Sequence, residues 1–107
     1  GHEYLQEKET YIEDGVNVTI DKLESNTAYY LKDCDSLDVL TYDYDIADPQ
    51  NTANLPETHL FVYANSSFDV TVPAGSVLRS GDSLSLASGE TYLITVKCNF
   101  WKVELYQ

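Results

Sequence analysis

Ser83 lies in the string Gly-Asp-Ser-Leu-Ser, in which a serine could act as the nucleophile of an ester hydrolase. That chemistry needs a histidine to accept the serine proton and an aspartate to orient the histidine, and in such hydrolases both arrive much later in the chain. His2 and His59 precede Ser83, and no histidine follows it. The string therefore predicts a turn at residues 80–82 followed by a short strand, and we expect no enzyme activity.

Clustered aspartates offer a second chemistry, the binding of calcium by carboxylate oxygens. Neither aspartate run fits an EF-hand loop, because the fifth position is apolar and the glycine of the sharp turn is missing. Asp43 and Asp45 lie about 7 Å apart on one strand face, which would also suit an inverting glycosidase, but we expect them on the solvent side of the strand. We predict no metal and no cofactor, with calcium held between loops as the open alternative. Its candidate ligands are Asp33, Asp35, Asp38, Asp43, Asp45 and Asp48.

Nine tyrosines and one tryptophan offer a third chemistry, the stacking of exposed rings on sugars. Most of these residues can be assigned to strands, where aromatic residues are favoured. We expect four of them to face the core, namely Tyr42, Tyr44, Tyr92 and Trp101. The candidates for a ligand-binding surface are Tyr63, Tyr106 and Tyr11.

These side chains must be positioned by strands, because apolar and polar residues alternate along the chain and no window has helical spacing. The predicted strands are short and separated by turn-forming clusters at intervals of about 8–12 residues. This pattern predicts an all-β fold, a single antiparallel β-sandwich of jelly-roll or immunoglobulin-like type with about eight or nine strands. The domain would span residues 1–107, with residues 1–9 as a possible arm.

The alternation also predicts which side chains face the core. In the first strand these are Val16, Val18 and Ile20; in the run 37–46 they are Leu40, Tyr42, Tyr44 and Ile46. Near the end they are Leu84 and Leu86, then Trp101, Val103 and Leu105 after a tight hairpin at Cys98-Asn99.

The charge of the chain restricts its partners. Eighteen acidic residues against six basic ones leave a net charge of −12, and such a surface repels phosphate backbones, so we expect no nucleic acid partner. Residues 1–57 hold 14 acids and 3 bases, whereas residues 58–107 hold 4 acids and 3 bases. A partner attracted by charge would therefore meet the first half. No apolar run approaches the roughly 20 residues of a membrane-spanning helix, so we expect no membrane insertion.

The two cysteines, Cys34 and Cys98, have no Cys-x-x-Cys spacing and offer neither a zinc ribbon nor a redox motif. We expect free, buried thiols. A disulfide between them stays open as the alternative.

From about Leu37 onward, the chain runs through an Asp-Val strand, a polar loop, "HLFVYANSSFDVTVPAG" and "SGDSLSLASGETYLITVKCNFWKVELY". This order of strands and turns resembles a small β module of phage and prophage tail-fibre and baseplate-associated structural proteins. The turn at Cys98-Asn99-Phe100 and the acidic first half depart from that pattern.

The resemblance implies a non-enzymatic role in a virion, in tail or baseplate assembly or in attachment to the host surface. Its partners would be other virion proteins, a host surface glycan, or further copies of the chain meeting at strand edges. The alternative is a bacterial extracellular carbohydrate-binding or adhesion module, in which Tyr63, Tyr106 or Tyr11 would stack on sugar. The resemblance transfers no catalytic residue.

Overall fold

The structure, a computed structural model, describes residues 8–12, 16–46, 55–78 and 84–106, and within these ranges it contains strands and no helix. The all-β prediction is confirmed. The strands are β1 (Lys8–Ile12), β2 (Asn17–Leu23), β3 (Thr27–Cys34), β4 (Ser36–Tyr42), β5 (Glu57–Ala64), β6 (Phe68–Val70), β7 (Val77–Leu78), β8 (Leu84–Leu86), β9 (Thr91–Lys97) and β10 (Phe100–Leu105).

The first five strands alternate between two sheets. β1, β3 and β5 lie side by side in a six-stranded sheet of order β1-β3-β5-β9-β10-β7, while β2 and β4 form a second sheet. Because the chain returns to each sheet in the same direction, these neighbours are parallel. Lys8 pairs with Thr27 and Asn17 with Ser36, an offset of 19 residues in both sheets. One coil of the chain therefore takes 19 residues.

β6 continues this coil beside β4. Thr71, directly after β6, forms a parallel bridge with Asp38, and its backbone exchanges hydrogen bonds with Val39 and Leu37 at 2.8 and 3.0 Å. β8 then pairs antiparallel with β6. β9 pairs antiparallel with β5 and, through the turn at Cys98-Asn99, with β10. The predicted final hairpin is confirmed.

The expectation of a purely antiparallel arrangement is not confirmed. Four of the seven ladders between described strands are parallel, and three are antiparallel. Period-two patterning fixes which face of a strand is buried but not the direction of its neighbour. The strand count also differs, because ten strands are described, including the two-residue β7 that sequence patterning missed.

The buried side chains of all three sheets belong to one cluster. Trp101 is the largest fully buried side chain, and Leu84 and Leu86 are buried, as the alternation predicted. The cluster comprises Val18, Ile20, Leu23, Tyr29, Leu31, Cys34, Leu37, Val39, Leu60, Val62, Ala64, Val70, Leu84, Leu86, Ile94, Val96 and Trp101.

Three predicted core positions are wrong. Leu40 is 48% exposed, because β4 pairs with β2 in a register that turns Leu37 and Val39 inward and ends the strand at Tyr42. Val16 precedes β2 and is exposed. Leu105 ends β10, beyond the core, and is exposed as well.

Candidate binding face

The outward side of the six-stranded sheet carries most of the candidate site. We call this side the aromatic face and define it by the outward-pointing residues of β3, β5, β9 and β10 and the residue after β10. They are Tyr30, Lys32, Glu57, His59, Phe61, Tyr63, Thr91, Leu93, Thr95, Lys97, Phe100, Lys102, Glu104 and Tyr106.

Alternation within β5 shows why the face is aromatic. Its segment "HLFVYA" turns the aliphatic residues Leu60, Val62 and Ala64 into the core, where all three are fully buried. The residues between them, Phe61 and Tyr63, therefore point outward. The sequence thus separates aliphatic from aromatic side chains on the two sides of one strand.

Three rings form a continuous strip across this face. Tyr30 and Phe61 are partners on β3 and β5, and their ring centroids lie 5.0 Å apart with an interplanar angle of 5°. The Tyr106 ring meets Phe61 edge-on, with centroids 5.2 Å apart. Two parallel rings at 5.0 Å must overlap, so Tyr30 and Phe61 each cover one face of the other. They offer less free ring face than separate sugar-stacking residues would.

The predicted ligand residues Tyr63 and Tyr106 both lie on the aromatic face and are 38% and 51% exposed. Tyr63 lines a shallow groove together with Tyr30, Lys32, Phe61 and Thr91. The backbone of Tyr11 pairs with that of Tyr30 on β1, but its side chain lies outside the described residues.

A second groove lies at the opposite end of the same face. Its lining includes Lys97, Phe100 and Lys102 on β9 and β10, together with Leu55 and Thr95. Phe100 is 54% exposed between the two lysines. Sequence reasoning missed Phe100, Tyr30 and Phe61, although alternation in β5 and β10 could have placed the last strand's phenylalanine and Phe61 outward.

The charge of the aromatic face differs from that of the molecule. Its three lysines, Lys32, Lys97 and Lys102, and its two glutamates, Glu57 and Glu104, sum to +1. His59 contacts Glu57 through Nε2 and Oε2 at 3.1 Å. Since the whole chain has a net charge of −12, the remaining residues carry −13. The face is therefore nearly neutral on a strongly acidic protein.

The candidate calcium ligands are divided between the two ends of β4. Asp33 and Asp35 lie before its first residue, and Asp43 and Asp45 after its last. Seven residues of strand span about 20 Å, too far for one ion to bridge. Asp38 points outward from the middle of the strand, and Asp48 lies outside the described residues.

The carboxylates with printed contacts serve turns. Asp35 accepts hydrogen bonds from Asn65 Nδ2 at 3.1 Å and Ser66 Oγ at 3.0 Å. Asp43 accepts from the backbone N–H of Ser25 at 3.3 Å. In the part of the chain that the structure describes, no three His, Cys, Asp or Glu residues are grouped to hold a metal ion.

Ser83 lies outside the described residues, so the predicted turn at residues 80–82 is not described either. Both cysteines are free and buried, as expected. Burial raises the pKa of the Cys34 thiol to about 11, and its Sγ donates to the Ser36 carbonyl at 3.2 Å. A thiol of this pKa remains protonated at neutral pH and is a poor nucleophile.

A buried polar cluster joins the first half of the chain to the last strand. Trp101 Nε1 donates to the Tyr42 hydroxyl at 2.8 Å, and that hydroxyl also hydrogen-bonds Ser76 Oγ. The Tyr44 hydroxyl donates to the Cys98 carbonyl at 2.7 Å. Burial, and then the neighbouring Tyr42, raise the pKa of Tyr44. These hydroxyls act as structural hydrogen-bonding groups.

Within the described ranges, no helix has the length and apolar character needed to cross a membrane. The chain matches no protein-family model, no curated protein and no solved structure.

Proposed function

We propose that this chain is a non-enzymatic module of a phage or prophage virion, acting in tail or baseplate assembly or in attachment to the host surface. The observation that carries the proposal is the aromatic face, a nearly neutral sheet surface with exposed rings on a protein of net charge −12. Exposed aromatic side chains are enriched at protein interfaces, where charged residues are depleted. The order of strands and turns supports the virion setting by resemblance.

The fold proposed for this module is a β-sandwich. The strands β2, β4, β6 and β8 would form one layer and the six-stranded sheet the other. The bridge between Asp38 and Thr71 and the single cluster of buried residues support this arrangement. A sandwich leaves the outward side of the six-stranded sheet available to partners.

The alternative function is a bacterial extracellular carbohydrate-binding or adhesion module. The groove around Tyr63 favours it, because Lys32 and Thr91 lie beside the ring and could hydrogen-bond sugar hydroxyls. The overlap of Tyr30 and Phe61 counts against a broad stacking platform. We therefore place this function second.

Mass spectrometry of particles purified from the source culture tests the virion proposal. We expect the chain in a fixed ratio to the other particle proteins after density-gradient purification. Its absence from particles would contradict the proposal.

A glycan array with the wild-type protein and Tyr63→Ala tests the alternative. Specific binding by the wild type that Tyr63→Ala abolishes would favour the carbohydrate-binding function. Leu40→Ala, at an exposed residue on β4, is the matched control and should bind like the wild type.

A further inference from the structure

Exposed apolar surface and low charge coincide on the aromatic face. Phe100, Tyr106 and Tyr63 are among the large apolar side chains that the structure leaves exposed, and all three lie there. Exposed apolar groups that cluster, rather than occur singly, mark interaction sites. Leu40 is a comparable exposed residue outside this cluster, since it lies on β4 in the second sheet.

Charge restricts how two copies of this protein can approach. Each copy has a net charge of −12, so contact between most pairs of surfaces would bring like charges together. The described charged residues of the aromatic face sum to +1. Two copies that meet through this face keep their acidic surfaces apart.

The size of the face is sufficient for a dimer. Six strands at about 4.8 Å spacing and seven residues at about 3.3 Å per residue give about 29 by 23 Å. This is about 650 Å² per copy and about 1,300 Å² for two, above the roughly 1,000 Å² of specific interfaces.

We infer that the aromatic face is a dimer interface, in which the six-stranded sheets of two copies stack face to face across a two-fold axis. The inference rests on the proposed function in naming a partner, a second copy, for the same surface. An axis in the interface plane and perpendicular to the strands exchanges the two ends of the face. The end that carries Lys97 and Phe100 then lies over the end that carries Glu104 and Tyr106, and opposite charges meet.

Light scattering and sedimentation velocity at several protein concentrations test the inference. The protomer has a mass of 12.0 kDa, and we expect the mass of two protomers at the higher concentrations. Raising the salt from about 0.02 to 0.15 M should strengthen the dimer several-fold, because it screens the repulsion between the acidic surfaces.

Charge insertion identifies the face. Phe100→Glu and Tyr106→Glu should each weaken dimerisation at least tenfold, whereas Leu40→Glu, the matched control, should dimerise like the wild type. Circular dichroism melts of the three variants show that each is folded, since all three residues are exposed. A second variant, Tyr63→Glu, keeps the test usable if one of the others fails to fold.

A wild-type monomer at all concentrations and salts would overturn the inference, and so would a dimer that Leu40→Glu disrupts while Phe100→Glu does not. Glycan binding that Tyr106→Glu abolishes in a monomeric protein would also overturn it, in favour of the carbohydrate-binding function. A monomer that is nevertheless present in purified particles would contradict only the dimer and leave the virion proposal standing.

Discussion

The coil formed by β1–β6 and the hairpin formed by β9 and β10 use the same alternating pattern but pair differently. In the coil, consecutive strands lie in different sheets, and each strand pairs with the one that follows a full 19-residue coil later. In the hairpin, consecutive strands pair with each other. The difference teaches that the turn decides strand direction. A turn that crosses between layers produces parallel neighbours, whereas a turn that folds back within a sheet produces antiparallel ones.

The two regions depend on each other through the core. Tyr42 at the end of β4 accepts the hydrogen bond of Trp101 in the hairpin. Thr58 at the start of β5 is fully buried and donates to the Glu24 carbonyl in a turn of the coil. We therefore expect the regions to unfold together, and the following predictions test this from the largest effect to the smallest.

Trp101→Ala should give the largest loss, because it removes the largest fully buried side chain at the junction of hairpin and coil. We expect the free energy of unfolding to fall by about 3–5 kcal/mol, measured by urea denaturation. Lys102→Ala, at the exposed neighbouring position, should change it by less than about 0.5 kcal/mol. A loss below about 1 kcal/mol for Trp101→Ala would contradict the burial of this residue.

Tyr42→Phe removes the hydroxyl that joins the two regions and leaves Trp101 Nε1–H without this acceptor. A buried donor that loses its acceptor costs about 1–3 kcal/mol, so we expect a loss of about 2 kcal/mol. In a double-mutant cycle with Trp101→Phe, the effect of Tyr42→Phe should shrink. Strictly additive losses would show that the hydrogen bond does not couple coil and hairpin.

The Cys34 thiol, at the end of β3 in the coil, predicts a loss of stability at alkaline pH. Burial raises its folded-state pKa to about 11, so the unfolded chain releases this proton first, from about pH 9. The contribution is therefore fully present below pH 9 and is lost as the pH rises toward 11. Relative to Cys34→Ala, the wild type should lose about 1 kcal/mol between pH 9 and 10. Parallel pH profiles of the two proteins would contradict this assignment.

The turns of the two regions share one backbone feature, because Asn26 before β3 and Cys98 before β10 both have a φ of 55°. Asparagine tolerates this left-handed conformation better than most residues. Asn26→Ala should therefore cost about 0.5–1 kcal/mol in thermal melts, and Asn26→Gly should stay within about 0.5 kcal/mol of the wild type. Equal melting of both variants would show that the conformation at this turn costs little.

Much of the interior could be predicted from the sequence. The segment "SLSL" turned out to bury Leu84 and Leu86, and the final strand buries Trp101. Leu40 was misplaced because "LDVLTY" contains apolar residues in both registers, and only the pairing of Val18 with Leu37 decides between them. The positions of Tyr63 and Tyr106 on one face depend on the pairing of β5 with β9 and of β9 with β10.

The sequence by itself determined that the chain forms strands, that it carries a net charge of −12, and which side of most strands is apolar. These properties follow from residue types and period-two spacing, which are local. Only the tertiary structure decided that the first strands coil in parallel, and that Tyr30, Phe61 and Tyr106 meet in one strip. Strand direction and lateral contact depend on which distant segments pair, and that choice is made by burying the sheets against each other.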